Sequence, residues 1–329
     1  MTTMKWVECV PNFSEGRNQY IIQAIADAIQ SVEEVLLLHI DSSRDANRTV
    51  YTFVGPPEAV AEAAYRSIIK ALALIDMRQH KGAHPRMGAC DVCPLIPMGE
   101  FTMEETIALS KSLGKRLGDA GIPVYLYEYS ALAPERRNLA FLRKGEYESI
   151  PLKLQNEQWK PDYGPQTFHE RFGIMALGAR KFLIAYNINL QTEDVSIAGF
   201  VASRIRESGY RDAQGILRAG LLKSVKAIGW YLHEYGCAQV STNITDFEVS
   251  GIKEVYDAVC KVAESMGVSV SGSELIGLIP LKALTDAGKK LLPDEESTDR
   301  LIYSALDYLQ LKIVPEERIL EWAIRKKMS

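Results

Sequence analysis

The sequence predicts an α/β (α+β) protein made of two ferredoxin-like units, each of β-α-β-β-α-β order. Three observations predict it. At 329 residues and about 150 residues per domain, the chain has room for two domains. Apolar runs of strand length take turns with segments whose apolar residues recur at helical spacing. The same order of elements then starts again past residue 180. Hydrophobic residues make up 47% and charged residues 24% of the chain. Both are near the globular norm, which excludes a disordered chain, a collagen-like chain and a coiled coil.

In the first half, residues 6–10 read as a strand stopped by Pro11. Ser14 stands as the cap of a helix near residues 19–30. Residues 35–40 are a continuous apolar run, expected of a buried strand, and His39 within it reads as a core histidine. A polar loop follows from Asp41. Residues 48–54 form another strand, ended by Gly55-Pro-Pro. Residues 58–77 are an alanine-rich helix, 90–96 a β-like apolar run, 103–120 a second long helix and 123–129 a last strand. The half, with eight segments named, is read as the six-element order β-α-β-β-α-β, the split βαβ layer of a ferredoxin-like fold.

A polar, aromatic connector runs from Ser130 to about Gly178, with a helix start at Pro134 and an extended segment from Trp159. The second half repeats the order: a strand at 181–188, a helix at 195–208, strands at 225–232 and 238–245, a helix at 253–266 and a short strand at 268–271. Residues 280–329 read as helical with a basic end. The boundary between the domains, 1–180 and 181–329, falls near Arg180.

The chemistry of the chain excludes several classes. Its 38 basic and 42 acidic residues give a net charge of −4, against the basic excess of a nucleic-acid binder. The N-terminus lacks the apolar core of a signal peptide. The longest apolar stretch, 61–75, is broken by Glu62, Arg66 and Lys70 and is no membrane span. A cytoplasmic location is expected. Cys9, Cys90, Cys93, Cys237 and Cys260 are an odd, sparse set, suited to reduced thiols.

The densest segment is His80-Lys-Gly-Ala-His84-Pro-Arg-Met-Gly-Ala-Cys90-Asp-Val-Cys93. Three readings compete. A metal site would use the H-x3-H and C-x2-C spacings, but Gly82 and Pro85 keep the histidines off one helical face. A strand would also send the two cysteines to opposite faces. A redox C-x-x-C wants a helix after its first Cys, and the residues here are β-like. In the third, a histidine in a glycine-rich loop does acid–base work, with Arg86 as a cation for a carboxylate. Cys90 and Cys93 then read as buried apolar residues, with no metal.

Longer motifs narrow the choice. Glu8-Cys-Val-Pro-Asn-Phe-Ser-Glu-Gly16, Asn47-Arg-Thr-Val-Tyr-Thr-Phe-Val-Gly55, His84-Pro-Arg-Met-Gly-Ala, Pro123-Val-Tyr-Leu-Tyr, Ala179-Arg-Lys-Phe-Leu-Ile-Ala and Val240-Ser-Thr-Asn243 follow one another. Together they resemble the glutamate formiminotransferase family, in its stand-alone form, over essentially the whole chain. The resemblance implies two α/β subdomains side by side with a substrate cleft between them, in a homodimer. The implied reaction moves the formimino group of N-formimino-L-glutamate to N5 of tetrahydrofolate, a co-substrate, in histidine degradation. A separate cyclodeaminase would act downstream.

The resemblance also assigns residues. The histidine of the HPRMG motif, His84, is the expected acid/base. The folate segment maps to Gly164, Pro165, Gln166, Thr167, Phe168, His169, Glu170, Arg171, Phe172 and Gly173, with Phe168 and Phe172 as flanks of the pterin or as core seals. Asp41 is the second catalytic candidate, either orienting the imidazole or only turning the chain at a strand end. Asn12 is a candidate for substrate contact beside its alternative, an Asx turn after Pro11. Arg48, Arg86 and Arg180 are candidates for the substrate carboxylates, since Arg binds them bidentately. An N-formyl-L-glutamate donor, a non-catalytic folate-binding protein and a metalloprotein are the rival readings.

Overall fold

A proline sets the first break in the computed structural model, which describes residues 5–329. Pro11 has no N–H to give a ladder and divides the first strand into β1 (Lys5–Cys9) and β2 (Asn12–Phe13). Then come α1 (Gln19–Gln30), β3 (Leu36–Ser43), β4 (Arg48–Gly55), α2 (Pro57–Leu74) and β5 (Cys90–Gly99). Their sheet runs β3, β4, β1 with β2, then β5, antiparallel at every step. This is the strand order of a ferredoxin-like layer. Ile22, Ile25, Ala26 and Ile29 of α1 are buried against the sheet with Ala64, Ile68 and Ala71 of α2.

The expected order is complete at β5, earlier than the sequence suggests. The helix α3 (Met103–Asp119), with a Thr102–Glu105 capping box, and the strand β6 (Val124–Leu126) are additions to it. So is β7 (Met175–Ala179), which lies inside the predicted connector and pairs in parallel with both β5 and β6. Ser14 is not the cap of α1. It lies too far upstream, and Asn18 accepts the Tyr20 and Ile21 N–H groups instead.

The rest of the connector forms short turns, α4 (Leu139–Arg143) and α5 (Ile150–Lys153). Leu142, Ile150 and Leu154 pack on Val92, Tyr125 and Ala176. Thus α1 and α2 cover one face of the sheet, and the connector covers the β5–β7–β6 side of the other. The β2–β4–β3 side of that second face carries Asn12, Arg48, Val50 and Asp41.

The chain divides at Arg180, and the second unit begins at Lys181. It holds β8 (Ile184–Leu190), α6 (Val195–Ile205), a small hairpin β9 (Tyr210–Arg211) and β10 (Leu217–Arg218), then β11 (Val225–Leu232) and β12 (Cys237–Ile244). After α7 (Ile252–Glu264) and β13 (Val270–Ile276) come α8 (Leu281–Leu291), α9 (Thr298–Tyr308), α10 (Pro315–Arg318) and α11 (Leu320–Met328). The sheet order is β11-β12-β8-β13, all antiparallel. The hairpin was unforeseen, and β13 begins two residues later and runs five residues further than the strand expected at 268–271. This unit has a separate core around Ile184, Tyr186, Val201, Val240 and Val259. Among the described residues, no helix is long and apolar enough to cross a membrane.

Candidate active site

The loop between α2 and β5 carries His84, and backbone contacts tie it down on both sides. Ala83 N–H donates to Asp45 O at 3.0 Å, and the Ser14 hydroxyl donates to Gly88 O at 2.7 Å. Ala89 N–H donates to Phe172 O at 2.7 Å and Ile174 N–H to Met87 O at 3.0 Å. Two glycines make this approach feasible. A Cβ on Gly88 would lie 2.1 Å from Ile174 O, and one on Gly173, which has φ +79, would lie 2.2 Å from Met87 O. Neither clash is tolerable for another residue.

His84 is half-buried, and its Nδ1 lies 2.8 Å from Pro85 O. A carbonyl only accepts, so Nδ1 carries the proton and Nε2 holds the lone pair of the neutral ring. Burial holds the imidazole well below its ordinary pKa, and the charges of Arg48 and Arg143 lower it further, against Asp91. His84 is therefore a neutral imidazole at physiological pH.

Asp91 owes its place to a bulge. Along β2, Asn12 and Phe13 pair with Val92 and Cys90, so β5 carries one extra residue, Asp91. A bulge re-aims a side chain and resets the alternation of faces. It also puts Cys90 and Cys93 in the same core, 0% exposed, rather than on opposite faces. Cys93 Sγ lies 3.6 Å from Cys9 Sγ, and burial pushes the Cys9 and Cys90 thiols up. Among the described residues, no group of three or more His, Cys, Asp or Glu side chains is arranged around a metal position.

Fully buried Asp91 lies between two guanidiniums, at 2.8 Å from Arg48 Nη2 and 2.5 Å from Arg143 Nη2. It also accepts the Met87 N–H at 3.0 Å, which links it to the His84 loop. Burial opposes its ionisation, but Arg143 and Arg48 outweigh that and keep the carboxyl below the usual range. Arg48 Nε donates to Asn12 Oδ1 at 3.0 Å, and Asn12 Nδ2 donates to Val10 O. Asn12 thus serves the arginine, not an isolated turn.

Asp41, Val50, Asn12 and Val92 form one row across β3, β4, β2 and β5. Directly paired residues share a face, so Asp41 faces the same side as Asn12 and Arg48, roughly 10 Å from Asn12 at the backbone. His39 is not in the core. Its Nε2 lies 3.7 Å from Asp41 Oδ2, with both side chains about a fifth exposed.

Two expected arginines are placed elsewhere. Arg86 donates to His80 Nδ1, His80 O, Glu146 and Glu148 through Nε, Nη1 and Nη2. Those bonds use all five of its N–H donors. His80 gives Nε2 to Asn47 O at 2.8 Å, and burial lowers its pKa. The His80–Arg86 pair therefore braces the loop. The Arg180 backbone N–H donates to Leu95 O, which puts its backbone four residues along β5 from Asp91, roughly 13 Å.

The 164–173 segment packs beside the His84 loop. Phe172 is 0% exposed in the main core and cannot flank a ligand. Phe168 packs on Tyr147, with ring centroids 5.4 Å apart. His169 is turned inward, its Nδ1 accepting the Phe172 N–H, and Gln166 donates to Leu154 O. Thr167, Glu170 and Arg171 are exposed. Asp91 and Arg143 were missed by sequence reasoning. The signal available for Asp91 was an acidic residue in an otherwise apolar strand; a connector of short turns offered none for Arg143.

A neutral histidine in a loop tied to buried guanidiniums is an arrangement suited to proton transfer on an anionic substrate. Comparisons with known proteins give the family. Residues 6–180 match the model of the formiminotransferase domain, N-terminal subdomain, and residues 185–325 match that of the formiminotransferase domain. The chain belongs to the formiminotransferase family. It is 46% identical to formimidoyltransferase-cyclodeaminase of Rattus norvegicus over 97% of its own length and 60% of that protein's. It thus spans less than two thirds of that relative. It is 43% identical to glutamate formimidoyltransferase of Streptococcus pyogenes serotype M1 over 89% of this chain and 95% of that one. For the enzyme of the same name from Thermoplasma acidophilum the identity is 40%, over 88% and 93%.

Proposed function

We propose that this chain transfers the formimino group of N-formimino-L-glutamate to N5 of tetrahydrofolate, releasing L-glutamate and 5-formiminotetrahydrofolate. The observation that carries the proposal is His84, a neutral imidazole whose loop is tied to the buried Arg48–Asp91–Arg143 group, in a chain of this family. Attack by N5 on the formimino carbon makes N5 acidic, and a tetrahedral intermediate forms. His84 Nε2 takes the N5 proton and returns it to the departing glutamate nitrogen, so one group serves both steps. Its lowered pKa keeps the lone pair available for the first step. Asp41 lies on the face of Asn12 and Arg48 and suits the positive formimino nitrogen. The exposed side chains of the 164–173 segment offer the folate contacts, with Phe172 and His169 excluded.

Family likeness also supports a homodimer in the cytoplasm, a place in histidine degradation and a separate cyclodeaminase acting downstream. The test is an assay of purified protein with tetrahydrofolate and either N-formimino- or N-formyl-L-glutamate. Turnover of the formimino donor is expected. Turnover of the formyl donor alone, or of neither, would overturn the proposal.

A further inference from the structure

The bulge in β5 leaves two guanidiniums sharing one carboxylate. Arg48, 7% exposed, gives Nη2 to Asp91 and Nε to Asn12, and its buried Nη1 has no hydrogen-bond partner. Arg143 gives Nη2 to Asp91, and its buried Nε has no partner either. The trio has a net charge of +1, with one unpartnered donor nitrogen on each arginine. A guanidinium cannot shed its proton to escape that cost, and a desolvated orphan donor is expensive. A carboxylate supplies both missing charge and missing acceptors.

We infer that Arg48 and Arg143 seat the α-carboxylate of the formimino donor, with Asp91 as the positioning residue that holds both guanidiniums. The inference rests on the reaction proposed above. It deepens that reading by naming which carboxylate binds where. The α-carboxylate is two bonds from the nitrogen that His84 protonates, whereas the γ-carboxylate is four bonds away. The seat is tied to the His84 loop, since Asp91 accepts the Met87 N–H three residues past His84 at 3.0 Å, and a seat that close in the chain to the base takes the α group. Neither Arg143 nor Asp91 was a candidate from sequence.

The experiment compares kcat/KM for N-formimino-L-glutamate and for N-formimino-4-aminobutyrate, which keeps the γ-carboxylate and lacks the α. Wild-type protein should prefer the first by roughly 10–100-fold, the worth of a charged hydrogen-bonded pair. In Arg143→Gln the preference should shrink to a few-fold, with KM for tetrahydrofolate unchanged. Equal use of both donors by the wild type, or an undiminished preference in the variant, would overturn the inference. Should Arg143→Gln lose its fold by circular dichroism, Arg143→Lys reads the same ratio. L-Glutamate binding by titration calorimetry separates the two ideas. If wild type turns over neither donor, the reaction is wrong; the seat stands only if glutamate still binds and Arg143→Gln weakens it.

Discussion

In both units antiparallel strands in the same ferredoxin-like order, extended in the first unit by the parallel strands β7 and β6, carry helices on one face and polar side chains on the other, yet the polar faces differ. In the second unit Trp230 Nε1 donates to Gln239 Oε1 at 2.7 Å. Gln239 Nε2 donates to Asn189 and Glu274, and the Tyr235 hydroxyl donates to Glu274. In the first unit the Arg48 Nη1, Arg143 Nε and Thr52 Oγ1 atoms are buried without partners. The only such atom of the second unit among the described residues is Glu254 Oε2, which lies on α7, off the sheet, and whose other oxygen pairs with Lys290. Natural proteins leave few buried polar atoms unpaired. Three in the first unit, two of them on the arginines that hold Asp91, fall where the proposed reaction places its substrate.

The comparison can be broken most sharply at His84. Changing His84→Ala should cut turnover by roughly 10²–10⁴-fold while tetrahydrofolate still binds. Near-normal turnover by stopped assay would remove the distinction between the faces. Next is Asp91→Asn against Glu274→Gln. Removing the one carboxylate between two buried arginines should cost about 3–5 kcal/mol. Neutralising Glu274, a half-buried carboxylate that accepts from the uncharged Tyr235 and Gln239, should cost about 1 kcal/mol. Urea unfolding compares the two; equal losses would mean that the bulge has no special weight.

A smaller effect is expected at Gly88→Ala. Its Cβ meets the Ile174 carbonyl, and forcing that contact should cost about 1–3 kcal/mol, with turnover falling as the His84 loop shifts. An unchanged melting temperature would contradict the close approach. The smallest effect is linkage at His84. Its pKa is lowered in the folded state, so the unfolded chain takes the proton first. The neutral ring's contribution is full above about pH 6.5 and is lost as pH falls from there towards the folded pKa. His84→Gln should flatten that part of the stability–pH curve, and an identical curve would refute the lowered pKa.

Much of this was legible in the sequence. Apolar period located nearly every element of the second unit and, in the first, β1, β3, β4, β5, β6 and the helices α1, α2 and α3. Motifs singled out His84, Asn12, Arg48 and Asp41. The sequence could not show the bulge, because Cys90-Asp-Val-Cys93 reads as plain alternation until β2 is laid beside it. That one extra residue decides that the cysteines share the core and that Asp91 meets the arginines. Nor could it show that Arg86 is fully engaged by Glu146 and Glu148, 60 and 62 positions away. β7 was hidden for a related reason: Met-Ala-Leu-Gly-Ala has little β-branched character and becomes a strand only because β5 and β6 flank it.

The central claim is that His84 is a base whose affinity for the proton is set by burial and by the Arg48–Asp91–Arg143 group. The most direct test is the pH dependence of kcat/KM, which reports the free enzyme, for the wild type and Arg143→Gln. Losing one of the two positive neighbours should raise the His84 pKa, so the acidic limb of the profile should move to higher pH. A limb that stays where it is in the variant would contradict the account.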